Sequence, residues 1–284
     1  MIKVEKLNDI HSLRVVYNQT DKWEQWVLLM SDVHFDSPKC DRKLLKKHLD
    51  EAKEKNGVVM IFGDWYDAMG GRFDPRSNKG DVRPEYNVKG YFDAIVKDSY
   101  NFLEPYKDNV RFMSYGNHEI SVLNRQEVDL MKNLTEKLEC ETGDYQGFIK
   151  FMFNKKNKNS ESSRSSKLLY YTHGSGGNSP VTRGVIKTNR RNATIQSDIF
   201  VSGHIHNEWV VNLPMVRVSD MGKIKKTDQT HISLGCYKDD SFAPNGGGWA
   251  DMKEFPPPSM GGCWIRFYYD KTKGEVTYQT IRAI

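Results

Sequence analysis

Short apolar runs alternate with helix-like stretches over the first half of the chain. This alternation is typical of an α/β fold with a largely buried sheet. Strands are predicted at 26–32 (WVLLMSD), 57–64 (GVVMIFGD) and 109–118 (NVRFMSYGNH). Helices, with apolar residues at helical spacing, are predicted at 41–55, 91–106 and 119–140, the last as one helix or two.

The second half of the chain is richer in predicted strands. The runs GFIKFMF and KLLYYTHG flank the polar tract 154–166, which predicts an exposed hairpin loop. Residues 181–196 predict a helix, and further strands are expected at 197–206 and 276–284. Neither an internal repeat nor a linker is evident, so the pattern favours a single domain spanning 1–284 with two sheets.

Composition narrows the class of protein. A chain of 284 residues with 38% hydrophobic residues can bury a core without disulfides, and its four cysteines form no CxxC pair. The net charge of +5 permits a nucleic-acid partner without requiring one. The charged N-terminus lacks an apolar leader, and no apolar run approaches the ~20 residues of a membrane span, so we expect a cytoplasmic location with no membrane contact.

Polar side chains collect where the predicted strands end. Because ligand sites of open α/β sheets lie at the carboxyl ends of strands, we expect these groups to converge. The candidate metal ligands, all with oxygen or nitrogen donors, are Asp32, His34, Asp64, Asn117, His173, His204 and His206. A single catalytic metal uses about three or four protein groups, so this set suits two metals that share a carboxylate. Two such metals activate water for attack on a phosphoester.

Each candidate also has an ordinary structural interpretation. Asp32 could cap the segment that follows it, Asp64 could be a turn residue, and Asn117 could occupy a left-handed turn beside Gly116. Joint occurrence at five strand ends favours the metal site. The remaining histidines, His11, His48 and His231, fall outside this pattern and are interpreted as structural.

Five motifs occur in one order between Asp32 and His206, namely DxH, GDxxD, GNHE, HG and GHxH. This series, which covers about two thirds of the chain, resembles the calcineurin-like metallophosphoesterase superfamily. The resemblance implies a two-sheet α/β sandwich flanked by helices and a metal-dependent hydrolase of phosphoesters. The chain is also similar in overall look to compact phosphoesterases of phage and prophage genomes.

The resemblance also implies roles for individual residues. Asp64 bridges the two metals, His118 donates a proton to the leaving oxygen, and the carboxylate of Asp67 orients His118. For Asp67 and for Glu119, this supporting role is left open beside that of an ordinary helix-start carboxylate. The implied ligands are Asp32, His34, Asp64 and His206 for the first metal, and Asp64, Asn117, His173 and His204 for the second. Two divalent ions are expected; Mn²⁺ is our first choice, and Fe, Zn²⁺, Co²⁺ or Ni²⁺ also suit these donors.

The substrate is constrained by departures from the known branches. Ala68 and Met69 stand where the protein phosphatases carry Arg-Gly, and His118 stands where the lipid-A-precursor pyrophosphatases carry arginine. The nuclease branch usually has aspartate in place of Glu119. None of these branches is therefore matched in full.

A long insert at 69–90 follows the bridging aspartate without helical or strand periodicity. It interleaves basic and aromatic residues, which favours contact with phosphates and bases, although a solvated loop is the plain alternative. The expected substrate contacts are Arg72, Arg76 and Arg83 from this insert and Arg183 from the segment after His173. The charge run of that second segment is also typical of a solvated helix face.

Three functions follow from these observations. The first is a phosphodiesterase that acts on nucleic acid or nucleotides, with the phosphoester substrate as its partner. The second is a phosphomonoesterase for a small molecule or nucleotide. The third is a catalytically silent metal-binding scaffold, which the complete set of ligands and His118 disfavours.

Overall fold

The computed structural model describes residues 2–20, 22–71, 79–156, 161–177, 179, 181–218, 222–241 and 256–284. Its strands are β1 (Val4–Leu7), β2 (Ile10–Tyr17), β3 (Glu24–Met30), β4 (Val58–Phe62), β5 (Val110–Ser114), β6 (Glu141–Gly143), β7 (Gln146–Lys156), β8 (Glu161–Thr172), β9 (Ile199–Ser202), β10 (Trp209–Val218), β11 (Ile224–Ser233), β12 (Gly262–Asp270) and β13 (Glu275–Ala283). Its helices are α1 (Arg42–Glu54), α2 (Tyr91–Leu103), α3 (Asn117–Gln126), α4 (Leu130–Leu138) and α5 (Ile186–Thr194), with short 3₁₀ turns at Lys79–Asp81, Pro84–Tyr86 and Glu104–Tyr106.

The strands form two mixed sheets. One has seven strands in the order β1-β2-β7-β8-β9-β11-β10, and the other has six in the order β13-β12-β3-β4-β5-β6. In the six-stranded sheet β3, β4, β5 and β6 run parallel, whereas β12 is antiparallel to β3 and β13. In the other sheet β8 and β11 each pair parallel with β9. The predicted α/β architecture with two sheets and flanking helices is confirmed.

The six-stranded sheet is buried on both faces, and its central strand β4 is apolar and buried at every position. Side chains alternate between faces along a strand. Leu28 and Met30 of β3 belong to one core cluster together with apolar residues of α1, α2, α3 and α4. Val27 and Leu29 belong to the second cluster, which includes Phe151, Tyr171 and other residues of the seven-stranded sheet. The helices therefore cover one face, and the second sheet covers the other.

Element boundaries differ from the predicted ones at several places, and the strand predicted at 197–206 is limited to β9 (Ile199–Ser202). The third predicted strand ends at Ser114 rather than 118, because α3 already begins at Asn117. The helix predicted at 181–196 is limited to α5, which begins only at Ile186. The predicted hairpin at 154–166 is present, and its strands extend into the polar tract on both sides.

The topology brings five strand ends to one edge of the molecule. Parallel β3, β4 and β5 end together, and the ends of β8 and β9 lie across from them in the facing sheet. Backbone bonds connect the two sets, since Leu234 N donates to Ser202 O and Tyr237 N donates to Asp32 O. None of the helices in the described part of the chain is long and apolar enough to span a bilayer.

Candidate metal centre

The backbone is unusual at the candidate ligands. A left-handed φ is uncommon outside glycine, although Asp, Asn and His adopt it more readily than other residues. Five of the candidate ligands have positive φ, namely Asp32 (52°), His34 (48°), Asp64 (51°), His204 (73°) and His206 (52°). Such conformations cost about 1–3 kcal/mol each and concentrate at functional sites. The chain therefore turns sharply at the residues whose side chains point into the site.

Two glycines provide the space that these turns need. A Cβ on Gly116 would lie 2.1 Å from Oδ1 of Asp64, and a Cβ on Gly203 would lie 2.4 Å from Oδ2 of Asp32. Neither contact is possible for a real side chain. Each glycine thus lets a neighbouring segment of backbone pass directly behind an aspartate.

The first group of donors comprises Asp32, His34 and His206, whose ligand atoms all lie within 4.8 Å of one another. Nε2 of His34 and Nε2 of His206 are 3.3 Å apart, and His206 Nε2 is also 3.3 Å from Oδ1 of Asp32. Nδ1 of His34 lies instead 3.1 Å from Oδ1 of Asp67. The carboxylate of Asp67 therefore orients His34 so that its Nε2 faces the group.

The second group comprises Asp64, His173 and His204. Nδ1 of His173 lies 3.0 Å from the carbonyl oxygen of Phe62, which can only accept, so Nδ1 carries a proton and Nε2 is the nitrogen that can bind a metal ion once it is deprotonated. That Nε2 is 3.0 Å from Oδ2 of Asp64. Oδ1 of Asn117 lies 3.1 Å from His173 Nε2 and 2.8 Å from Nδ1 of His204, which places this amide oxygen in the same group.

Asp64 and His34 connect the two groups. Together with His118 they form a third set of ligand atoms within 4.8 Å of one another. Nε2 of His118 is 3.8 Å from Oδ2 of Asp64, while Oδ1 of Asp64 accepts from the backbone N–H of His118 at 3.0 Å. All seven predicted ligands thus converge, and Asp64 has the central position that a bridging ligand requires.

The residues fit a pair of divalent cations. Oδ1 of Asp32 is buried and accepts no hydrogen bond, although buried carboxylate oxygens are normally paired. Two imidazole nitrogens face each other beside it at 3.3 Å, an arrangement that a shared cation explains. Carboxylate, amide and imidazole donors without sulfur suit Mn²⁺, Fe or Zn²⁺.

The charges of the protein alone lead to the same conclusion. Burial opposes ionisation of Asp32, but His173 and His206 overcome it and lower the pKa of Asp32 to about 2. Burial likewise opposes protonation of His173, yet Asp64 and Asp32 raise its pKa to about 10. Without a cation, a proton on His173 supplies positive charge between two buried carboxylates. Metal ions bind by replacing such protons.

Glu119 supports the loop that carries Asp64. Its buried carboxylate accepts backbone N–H bonds from Asp64 at 3.1 Å, Tyr66 at 2.9 Å and Gly116 at 2.9 Å. Burial and the charge of Asp64 raise the pKa of Glu119 to about 7. Its side chain therefore holds the ends of β4 and β5 together.

Asp67 links His118 to residues that sequence reasoning missed. The backbone oxygen of Asp67 accepts from Nδ1 of His118 at 2.7 Å, and its side-chain Oδ1 lies 3.7 Å from the same nitrogen. Lys238 donates to both Asp67 oxygens, and Oδ1 of Asp36 accepts the Asp67 backbone N–H at 2.6 Å. Neither Lys238 nor Asp36 belongs to a recognised motif, so no local signal indicates them.

The four arginines predicted to contact substrate lie in different environments or outside the described residues. Arg72 and Arg76 lie outside the described residues. Arg83 donates from Nε to the carbonyl oxygen of Ser37 at 2.9 Å and so contacts the loop after β3. Arg183 is exposed, and its carbonyl oxygen accepts from Nε1 of Trp209 at 2.9 Å.

The histidines interpreted as structural lie apart from the three donor groups. Nδ1 of His48 is 2.8 Å from the Tyr237 hydroxyl, and Nε2 of His231 is 2.9 Å from Oε1 of Gln229. His11 lies 3.7 Å from Glu141.

This fold and the convergent donors define a metal-dependent phosphoesterase. The chain belongs to the calcineurin-like phosphoesterase family, whose model matches residues 25–264. The match spans every candidate ligand and, beyond them, β10, β11 and the first residues of β12, which sequence motifs alone did not place in the family.

Solved structures with a similar fold have low sequence identity to this chain. A Thermotoga maritima protein is 14% identical, with 91% of this chain and 99% of that chain covered and a TM-score of 0.35. A metallophosphoesterase from Sphaerobacter thermophilus is 10% identical, with 91% and 88% covered and a TM-score of 0.39. Vps29 from Chaetomium thermophilum is 7% identical, with 91% and 95% covered and a TM-score of 0.38. No curated protein matches the chain.

Proposed function

We propose that this protein is a two-metal phosphodiesterase that acts on nucleic acid or nucleotides. The observation that carries the proposal is the shared position of Asp64. Its carboxylate lies between the donor group of His173 and His204 and the ring of His118. The Asp64 side chain is 2% exposed and the His118 side chain is 12% exposed, so His118 is the more accessible of the two.

The proposed chemistry divides between the cations and one imidazole. When bound, two divalent cations at such a site activate water and neutralise the charge of the phosphate. His118 donates from Nδ1–H to the carbonyl oxygen of Asp67, which leaves Nε2 as the nitrogen that faces the site. In its protonated form His118 holds a proton at Nε2 for the departing oxygen.

The charge of the site supports a diester rather than a monoester. A phosphate monoester carries close to two negative charges at neutral pH, whereas a diester carries one. Among the described residues, Lys238 is the only lysine or arginine that makes an ion pair with the carboxylate of Asp32, Asp64 or Asp67, and its partner in this group is Asp67. Arg83 is similarly engaged, by the carbonyl oxygen of Ser37.

The position of Arg183 supports a polymeric substrate. The neighbouring Gly184 packs against Ile205, since a Cβ built on Gly184 would lie 2.6 Å from Cδ1 of Ile205. Ile205 stands between the candidate ligands His204 and His206, so the exposed Arg183 borders the site. A nucleic-acid strand with one phosphate at the donors could reach this guanidinium with another.

The test compares substrates and one charge deletion. We expect bis(p-nitrophenyl) phosphate to be hydrolysed faster than p-nitrophenyl phosphate, and single-stranded oligonucleotides to be cleaved. In Arg183→Ala, KM should rise more for the oligonucleotide than for the nitrophenyl diester. The salt dependence of oligonucleotide binding should weaken by about 0.7 in the log–log slope, which corresponds to one lost phosphate contact.

The matched control is Lys225→Ala. Lys225 is an exposed cation on β11, eight residues before Ser233, or about 26 Å along the strand from the site edge. This variant should leave oligonucleotide binding unchanged. A faster rate with the monoester would favour the small-molecule phosphomonoesterase instead, and equal effects of the two variants would remove Arg183 from the binding surface.

A further inference from the structure

Lys238 is a buried cation directly behind the candidate site. It lies in the segment after β11, and its side chain is only 10% exposed. Its Nζ is 2.9 Å from Oδ2 and 3.1 Å from Oδ1 of Asp67, and 3.6 Å from Asp240. A buried lysine is costly unless it is paired, so this contact must be an integral part of the fold.

Asp67 connects Lys238 to two imidazoles, those of His34 and His118. Its Oδ1 is 3.1 Å from Nδ1 of His34 and 3.7 Å from Nδ1 of His118, and its side chain is fully buried. The rings of His34 and His118 are in edge contact at 5.0 Å between centroids. The carboxylate of Asp67 therefore orients the candidate metal ligand His34, and the backbone carbonyl oxygen of the same residue, 2.7 Å from Nδ1 of His118, holds the proposed acid.

The environment of Asp67 makes this arrangement dependent on Lys238. Asp36 is also buried, and its Oδ1 accepts the backbone N–H of Asp67 at 2.6 Å. Burial and the negative charge of Asp67 both raise the pKa of Asp36, so the two carboxyl groups repel each other when both are ionised. Among the described residues, Lys238 is the lysine whose positive charge offsets the repulsion between Asp36 and Asp67. Without the charge of Lys238, repulsion from Asp36 would favour rotation of the Asp67 side chain away from His34.

We propose that Lys238 is a positioning residue that holds Asp67 in place. It thereby aims Nε2 of His34 into the site through the Asp67 carboxylate, and Nε2 of His118 through the Asp67 backbone carbonyl oxygen. The proposal rests on the proposed function for the part that concerns His118. It assigns Lys238 no contact with substrate, because both Asp67 oxygens occupy its Nζ and its side chain is nearly inaccessible.

The test uses Lys238→Met, which removes the charge, and Lys238→Arg, which keeps it. Lys39→Met is the matched control, since Lys39 pairs with Asp240 at 2.8 Å in the same cluster but not with Asp67. Substrates are thymidine 5′-p-nitrophenyl phosphate, which has a good leaving group, and a thymidine dinucleotide, whose alkoxide needs the proton far more.

We expect Lys238→Met to lower kcat about 10-fold for the nitrophenyl ester and about 100-fold or more for the dinucleotide. Lys238→Arg should recover most of this loss, and Lys39→Met should resemble the wild type. Independently of activity, Mn²⁺ titration followed by electron paramagnetic resonance should show about 10- to 100-fold weaker binding of one ion in Lys238→Met, because His34 loses its orientation.

A double-mutant cycle separates this role from general destabilisation. If Lys238 acts through Asp67, adding Lys238→Met to Asp67→Asn should change neither kcat nor Mn²⁺ affinity further. Should Lys238→Met fail to fold, as judged by circular dichroism, Lys238→Gln takes its place in the cycle. A wild-type protein without phosphodiesterase activity would defeat the proposed function but leave the Mn²⁺ comparison decisive for Lys238.

Three results would overturn the proposal. One is an equal loss of kcat on both substrates together with unchanged Mn²⁺ affinity. Another is a rise in KM alone, which would make Lys238 a substrate contact. The third is additive losses in the cycle, which would show that Lys238 and Asp67 act separately.

Discussion

The two sheets contribute different donors to one site. The six-stranded sheet supplies both carboxylates among the candidate ligands, Asp32 after β3 and Asp64 after β4. The seven-stranded sheet supplies only imidazoles, His173 after β8 and His204 and His206 after β9. The site therefore lies across the junction of the sheets, and negative charge on one side faces potential positive charge on the other.

The two sides are also braced differently. On the carboxylate side, buried side chains hold the loops, with Glu119 on three backbone N–H groups and Lys238 on Asp67. The imidazole side is held largely by the carboxylate side itself, because His204 N–H donates to Oδ2 of Asp32 at 2.8 Å and His173 Nδ1–H donates to Phe62 O. We infer that the carboxylate side forms the template on which the imidazole ligands are placed.

Asp64→Asn tests this comparison most severely, because Asp64 is the carboxylate that reaches both groups of donors. The substitution keeps the shape but removes the anion beside His173 Nε2 at 3.0 Å. We expect phosphodiesterase activity to fall by more than about 100-fold, since loss of a mere supporting partner already costs about 10- to 100-fold. Metal analysis should find at most one ion per chain.

The exposed Asp228 of β11 provides the control for this variant, and Asp228→Asn should retain both ions and full activity. Retention of two ions with near-normal turnover in Asp64→Asn would show that the two sides do not share a ligand.

The sequence predicted the strands and candidate ligands of the carboxylate side better than the residues that hold them in place, such as Glu119 and Lys238. Apolar runs located β3, β4 and β5 because burial on both faces is a local pattern, and the motifs located every candidate ligand. The start of α3 was placed late, although Glu119 three residues after Gly116 is a recognisable capping signal. Lys238 and Asp67 are 171 residues apart, and a contact of that range has no local signature.

Glu119→Gln should have the next largest effect and tests the bracing of the carboxylate side. A glutamine presents an amide donor to backbone N–H groups that need acceptors, and an unsatisfied buried donor costs about 1–3 kcal/mol. We expect the free energy of unfolding in urea to fall by about that amount and metal affinity to fall about 10- to 100-fold. Isothermal titration with Mn²⁺ measures the second quantity.

Two further variants allow the effect of Glu119→Gln to be compared with a change on the imidazole side and with an exposed control. Tyr145→Phe removes the hydroxyl that donates to the carbonyl oxygen of Gly174 on the imidazole side, and its effect on metal affinity should be smaller. Glu127→Gln changes an exposed glutamate beyond the end of α3 and should be neutral. A larger effect of Tyr145→Phe than of Glu119→Gln would reverse the assignment of the template side.

The smallest expected effect concerns the seven-stranded sheet alone, through the buried His231 on β11. Burial and the nearby Arg191 lower the pKa of His231 to about 4, and its Nδ1 has no hydrogen-bond partner among the described residues. The unfolded chain takes up a proton near pH 6.5, whereas the folded chain does so only near pH 4. The contribution of His231 to stability is therefore complete above pH 6.5 and is lost as the pH falls toward 4, by about 2 kcal/mol between pH 8 and pH 5.

The measurement is urea unfolding in EDTA, which removes the influence of metal ions. His231→Gln should lose less stability over this pH interval than the wild type does. Equal losses in both proteins would show that His231 is not the group that makes this sheet sensitive to acid.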